Sequence, residues 1–149
     1  MLVLDLNGLK ALNDTHGHLA GDTALRAVAG LLRDCTRESD TVARYGGDEF
    51  AVILPSATEE DANQLLLRLR KRLPAHRAIG NGVPLAPLAV SAGVAAYPGD
   101  GLRAAALVAV ADERMYAQKR ATKRNESTAP LNDRSQARRR IMDRLGGGH

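Results

Sequence analysis

The chain opens on a continuous apolar run, Met1-Leu2-Val3-Leu4, closed by Asp5. Such a run suits a central strand covered on both faces. From Gly8 to Thr15, Leu9 and Leu12 fall on one side and Lys10 on another, which predicts a short helix. Gly17 to Asp22 reads as a loop, with Asp22 at, or just before, the N-cap of the next helix. From Ala24 to Thr36 the residues Leu25, Val28, Leu32 and Cys35 recur at helical spacing, so an amphipathic helix is expected, with Cys35 as a buried thiol.

Two β-prone runs follow, Thr41–Ala43 and Ala51–Leu54, joined through Gly46-Gly47 and two acids. A glycine pair between such runs predicts a tight hairpin turn with backbone angles that only Gly adopts without strain. Thr58 and Asp61 have the spacing of a capping box, opening a helix from Glu59 to Leu73 that buries Ala62, Leu65, Leu66 and Leu69. Pro74 to Pro87 is irregular, with room for a small loop or ribbon, and Leu88 to Ala96 is β-compatible. Pro98 to Gly101 turns the chain into a last helix, from Leu102 to about Thr122, striped by Leu107, Ala111 and Met115. The order is strand, helix, helix, hairpin, helix, strand, helix. It predicts an α/β two-layer sandwich of the ferredoxin-like kind, with a mostly antiparallel central sheet flanked by helices.

At 149 residues the chain is long enough for one domain with a real core. That core is aliphatic, because the chain holds one Phe, three Tyr and no Trp. A single cysteine excludes an internal disulfide. No apolar run is long enough to span a bilayer and no signal-peptide order opens the chain, so a cytoplasmic protein is expected. Residues 1–118 carry 12 Lys/Arg against 14 Asp/Glu, a net of −2, whereas residues 119–149 carry 9 against 3, a net of +6. The basic character belongs to the tail. Beyond Asn125 the composition is that of a solvated, flexible extension (126–149), in which Arg134 to Leu145 allows a transient basic helix. Nucleic acid is therefore not the expected partner.

Asp5 ends one expected strand and Asp48 begins another. Were the two strands neighbours, both carboxylates would lie at one end of the sheet, as Mg²⁺ shared with nucleotide phosphates requires. Leu6 to Lys10 turns from strand into helix, where free N–H groups can receive a phosphate. Lys10 and Lys119 add positive charge, and Asn13 and Asp22 have the polar groups to read a base edge. These pieces point to metal-dependent phosphoryl or nucleotidyl transfer. The remaining polar residues have structural readings. His16 and His18 are expected as loop hydrogen-bonders and His76 as a surface residue. Arg68, Arg70, Lys71 and Arg72 are expected as a solvated helix face, with a second product contact from a neighbouring molecule as the alternative, and Met115 and Tyr116 as core and edge packing.

Gly46-Gly47-Asp48-Glu49-Phe50 is the GGDEF sequence itself, and the chain resembles GGDEF-family diguanylate cyclases over residues 1–125. The likeness extends to Asp5-Leu6-Asn7-Gly8-Leu9-Lys10, to Leu12-Asn13-Asp14-Thr15-His16-Gly17-His18 with Gly21-Asp22, to Ala92-Gly93-Val94-Ala95 with Tyr97-Pro98, and to Ala111-Asp112 with Met115-Tyr116 and Lys119. The resemblance implies condensation of two GTP into cyclic di-GMP and two diphosphates, with Mg²⁺ or Mn²⁺, in a homodimer whose two sites face each other. An upstream sensor domain, absent here, is a further partner it implies. Carried over by position, Asp5, Asp48 and the Leu6 carbonyl hold metal. Glu49 stands beside the attacking 3′-hydroxyl, and Gly46 and Gly47 admit the nucleotide close to the backbone. Asn13 and Asp22 recognise guanine. Gly8, Leu9, Lys10 and Lys119 take the phosphates, with either Lys123 or Arg124 assisting. Arg37-Glu38-Ser39-Asp40 resembles the family's RxxD inhibitory site, which implies product feedback through Arg37 and Asp40.

Three departures are visible. Asn7 stands where many members have a second Asp. The lysine-to-arginine spacing near Lys119 is one residue longer than usual. The helix and DxLTxLxNR-type segment that usually precede the first strand are not present, which would bare one face of the sheet. A binding module that holds GTP or cyclic di-GMP with little or no turnover is the alternative reading.

Overall fold

The computed structural model describes residues 1–75, 77–80 and 83–128, with side chains described outside 76–86 and up to 125. His76 and residues 129–149 lie outside the described residues, as do the side chains of 126–128. Every expectation for the tail beyond Thr128 falls there too. The elements are β1 (Leu2–Leu6), α1 (Leu9–His16), α2 (His18–Cys35), β2 (Thr41–Arg44), β3 (Glu49–Ile53), α3 (Glu59–Arg72), β4 (Arg77–Gly80), β5 (Val83–Pro87), β6 (Val90–Val94) and α4 (Ala104–Thr128). Two compact units divide the chain, Met1–Gln118 and Lys119–His149.

In the first unit the sheet order is β2-β3-β1-β6, with every neighbouring pair antiparallel. The opening apolar run is the reason β1 is central: all five of its residues are buried. Leu2, Leu4 and Leu6 point to one face and join Phe50, Val52, Val90, Ala92 and Val94. Val28, Leu31 and Leu32 of α2 and Leu65, Leu66 and Leu69 of α3 pack in that same cluster. Each such side chain contributes about 1.5–3 kcal/mol by leaving water. On the opposite face Val3 packs with Ala111 and Met115 of α4. The helix lies so close to β6 that a Cβ at Gly93 would collide with the backbone of Ala111 and Met115. Over β2 and β3 this second face is open, with Thr41 and Ala43 exposed and Ile53 52% exposed.

The irregular stretch after α3 is a 3₁₀ turn, Leu73–Ala75, followed by the β4–β5 ribbon. The capping box forms as expected. Thr58 Oγ1 accepts from the Asp61 N–H, and Asp61 accepts from the Thr58 N–H at 2.8 Å. That hydrogen bond holds the Asp61 carboxyl below the usual carboxylate range.

The helix starts and two side-chain environments correct the expectations. Gly17 to Asp22 is not a loop, because Gly17 (φ 82°) ends α1 and starts α2 in a single residue. Asp22 therefore lies inside α2, and His16 and His18 are helix-end residues rather than loop residues. Cys35 is half-buried, since it is the last residue of α2, with Arg72 Nη1 at 3.5 Å from its sulfur. The basic side of α3 is only partly solvated. Arg72 pairs with Asp34 at 3.0 Å, Arg68 reaches the Cys35 carbonyl at 3.4 Å, and burial pushes the half-buried Arg70 guanidinium down. Met115 in the core and Tyr116 at its edge, 55% exposed, match the expected packing.

Candidate functional site

The register of β1 brings the acids together. Asp5 sits directly opposite Glu49 across the β1–β3 pair and opposite Ser91 across β1–β6. Asp5 is 4% exposed, and Glu49 is half-buried on the same face. Like charges on facing cross-strand positions repel, so this pair favours positive charge nearby. The Leu6 N–H donates to the Asp48 carbonyl at 2.8 Å, which ties the end of β1 to the residue before Glu49. The next N–H, of Asn7, donates to the Ala89 carbonyl at 2.9 Å. Asn7 Oδ1 accepts from the buried Ser91 hydroxyl at 2.9 Å, so the residue standing in place of a second Asp is held by β6. Asp5, Leu6, Asp48 and Glu49 thus converge at one end of the sheet.

The turn from Tyr45 to Asp48 differs from the tight glycine hairpin expected from sequence. Among the described glycines, positive φ angles occur at Gly8, Gly17 and Gly101, and neither Gly46 nor Gly47 has one. The loop is four residues long, and Gly46 answers to space rather than to φ, while Gly47 answers to neither. A Cβ on Gly46 would stand 2.5 Å from Glu49 Oε2, whereas one on Gly47 would meet nothing within 4 Å. Both the Tyr45 and Gly46 N–H groups donate to the Glu49 carbonyl, at 2.8 and 3.2 Å. Arg44 closes the turn from outside, donating through Nε to the Gly46 carbonyl at 3.1 Å and through Nη2 to the Gly47 carbonyl at 2.7 Å. The sequence reading passed over Arg44.

Behind β1, Gly8 (φ 76°) opens α1, and Leu9 and Lys10 form its first turn with Lys10 exposed. The N–H groups of a first helical turn lack partners within the helix and favour an anion. One turn on, Asn13 is half-buried, and its Oδ1 is buried with no hydrogen-bond partner among the described residues. It lies against Gly21 of α2, where any Cβ would collide with that oxygen. The following residue, Asp22, is exposed. The α1–α2 pair thus holds a buried acceptor at Asn13 and an exposed carboxylate at Asp22.

Arg37 and Asp40 form a turn of their own. The Arg37 N–H donates to Asp40 Oδ2 at 2.8 Å, and the Asp40 N–H donates to the Arg37 carbonyl at 3.0 Å. They line a cavity of about 50 Å³ with Cys35, Asp61, Gln64 and Arg68. Arg68 comes from α3, and no spacing in the sequence links it to this turn. Lys119, Lys123 and Arg124 belong to the second unit, where Lys119 is half-buried and the other two are exposed.

Among the described residues no group of three or more His, Cys, Asp or Glu gathers as a metal cage. A cation held jointly with a nucleotide needs less, one or two carboxylates plus phosphate oxygens. Asp5, Asp48 and the Leu6 carbonyl offer hard oxygen donors of that kind.

A family model described as "Diguanylate cyclase, GGDEF domain" matches residues 1–125. The chain belongs to that family. Diguanylate cyclase DgcP of Pseudomonas aeruginosa is 42% identical over 121 residues, which is 81% of this chain but 18% of DgcP. The chain thus spans under a fifth of that relative's length. The crystal structure of the GGDEF domain of TpbB (YfiN) from Pseudomonas aeruginosa is similar with a TM-score of 0.76 at 39% identity, covering 80% of this chain and 74% of that one. The GGDEF domain of DgcB from Caulobacter crescentus, solved in complex with c-di-GMP, is similar with a TM-score of 0.72 at 31% identity, covering 80% and 71%. The fold is accordingly that of GGDEF cyclase domains. Among the described residues no helix is long and apolar enough to cross a membrane.

Proposed function

We propose that this chain condenses two GTP into cyclic di-GMP, with two copies each presenting one GTP to the other. The observation that carries the reading is the convergence of Asp5, Glu49 and the Asp48 turn at one end of the sheet. Each 3′-oxygen attacks the α-phosphorus of the opposite GTP. The bond from that phosphorus to diphosphate breaks, and the hydroxyl proton leaves toward Glu49. A bound Mg²⁺ or Mn²⁺, held by Asp5, Asp48 and the Leu6 carbonyl, would supply charge neutralisation at the phosphate oxygens. Asn13, whose buried Oδ1 has no donor among the described residues, and Asp22 are the groups for the N–H edge of guanine. Lys10 and the first turn of α1 receive the outer phosphates, and Lys119 with Lys123 or Arg124 adds positive charge.

We also infer product feedback through Arg37 and Asp40. The cavity they share with Arg68 supports this reading, because two arginines, Arg37 and Arg68, and two aspartates, Asp40 and Asp61, line one space. Incubating the protein with GTP and Mg²⁺ and measuring cyclic di-GMP tests the whole scheme. Asp48→Ala is expected to make none, and wild-type rates in that variant would refute the assignment. Product binding by the wild type without any turnover would instead make this chain a binding module. Arg37→Ala is expected to keep turnover and lose the inhibition.

A further inference from the structure

The four-residue turn lacks the left-handed glycines that usually shape a tight hairpin, and besides the Tyr45 and Gly46 N–H groups on the Glu49 carbonyl, Arg44 bonds to the turn directly. We propose that Arg44 is a positioning residue that sets the turn's peptide planes, orienting two of its backbone N–H groups toward the phosphoryl oxygens of the bound nucleotide. The inference rests on the nucleotide reading given above.

In a trans peptide the C=O and the following N–H point in opposite directions. Arg44 holds the Gly46 carbonyl at 3.1 Å and the Gly47 carbonyl at 2.7 Å. The N–H groups of Gly47 and Asp48 are thereby turned to the edge of the turn away from the guanidinium. Successive N–H groups facing one way make a seat for an anion. The same two peptides lead directly into Asp48 and Glu49, so their orientation also sets where those carboxylates start. Gly47 adds no obstruction, since apart from its own chain neighbours no atom lies within 4 Å of where its Cβ would be. Arg44 is itself exposed at the end of β2, and its guanidinium goes to these carbonyls although two acids follow in the next five residues. A planar fork holds two adjacent carbonyls in one fixed geometry, whereas the three donors of a lysine ammonium rotate about a single point.

The test compares wild type, Arg44→Ala and Arg44→Lys. For Arg44→Ala we expect kcat to fall by about 10- to 100-fold, with melting temperature and cyclic di-GMP binding at the Arg37–Asp40 turn unchanged. Added guanidinium ion should restore part of the rate to Arg44→Ala and none to the wild type. Arg44→Lys should recover less than half of the loss. Turn geometry is read separately from turnover, by the amide resonances of Gly47 and Asp48. These should shift on adding a non-hydrolysable GTP analogue to wild type and be broadened, with little response, in Arg44→Ala. Wild-type kcat in Arg44→Ala, or unchanged Gly47 and Asp48 amides in that variant, would overturn the proposal. A wild type without cyclase activity would sink the cyclase reading, and the amide resonances would still decide the role of Arg44.

Discussion

The sheet has two turns that each combine glycine, an aspartate and an arginine, and they use the arginine in opposite ways. At one end, after β6, the turn from Pro98 to Gly101 is closed by the Asp100 N–H on the Ala96 carbonyl at 2.8 Å. Arg114 of α4 grips the Asp100 carboxylate with two bonds, at 2.7 and 2.8 Å, and also reaches the Val94 carbonyl at 2.7 Å. The charge is matched and the turn is stapled to the helix. At the other end, Arg44 takes the Gly46 and Gly47 carbonyls, and Glu49 stands opposite Asp5 across the strands. An acid neutralised by its own arginine is part of the scaffold. Acids gathered next to one another, with the nearby arginine directed elsewhere, form a place that attracts a cation.

The sharpest way to break this comparison is to remove the charge at each end and measure both activity and stability. Asp48→Asn is expected to lower cyclic di-GMP synthesis by about 10²–10³-fold, the range for losing one preorganised electrostatic group. Its melting temperature should stay at or above that of the wild type, because one like charge near Asp5 and Glu49 has gone. Asp100→Asn should do the reverse, keeping activity per folded molecule while melting earlier. Equal effects of the two variants on both readouts would show that the ends do not differ in kind.

A smaller effect separates the two glycines of the turn. Gly47 has neither a positive φ nor a neighbour in the way of a Cβ. Gly47→Ala should therefore leave the melting temperature unchanged and weaken GTP use by about 10-fold, close to 1.4 kcal/mol. An unaffected KM for GTP would mean that the open side of the turn is not where the nucleotide approaches. Gly21→Ala is the contrasting case, since the added methyl must displace Asn13 Oδ1. It should reduce discrimination between GTP and ITP more than it reduces kcat, and unchanged discrimination would remove Asn13 from base recognition.

These contrasts mark how far the sequence could be read. β1, the capping box of α3 and the α4 stripe were legible because local periodicity and caps decide them. The sequence placed Asp5 and Asp48 at one end of the sheet on the condition that their strands are neighbours, and β1 does pair with β3. The start of α2 was not, because Gly17 both ends one helix and begins the next through backbone angles, with no side-chain cap to signal it. The partners of Arg44 and Arg68 were not legible either. One depends on the directions of two carbonyls, the other on how the end of α2 meets α3. The expected role of the glycine pair failed for a related reason, since loop length and a side-chain brace replaced left-handed angles.

The smallest effect lies in the pH dependence of the scaffold turn. The Arg114 guanidinium, followed by the Ala96 N–H, holds the Asp100 carboxyl below its ordinary value, and Asp100 in turn raises the Arg114 guanidinium. A carboxyl depressed by folding stabilises the native state above its unfolded pKa, about 3.9, and loses that contribution as pH falls through its lower folded value. Arg114 stays charged throughout, so the acid limb belongs to Asp100. The melting-temperature gap between wild type and Asp100→Asn should be constant from pH 7 down to about pH 5 and should close below about pH 4. Thermal unfolding across that range checks it. A gap that persists at the lowest pH would mean that the carboxyl acts through its hydrogen-bonding shape alone, and the matched charge at this end would lose its part in the contrast with the turn at Asp48.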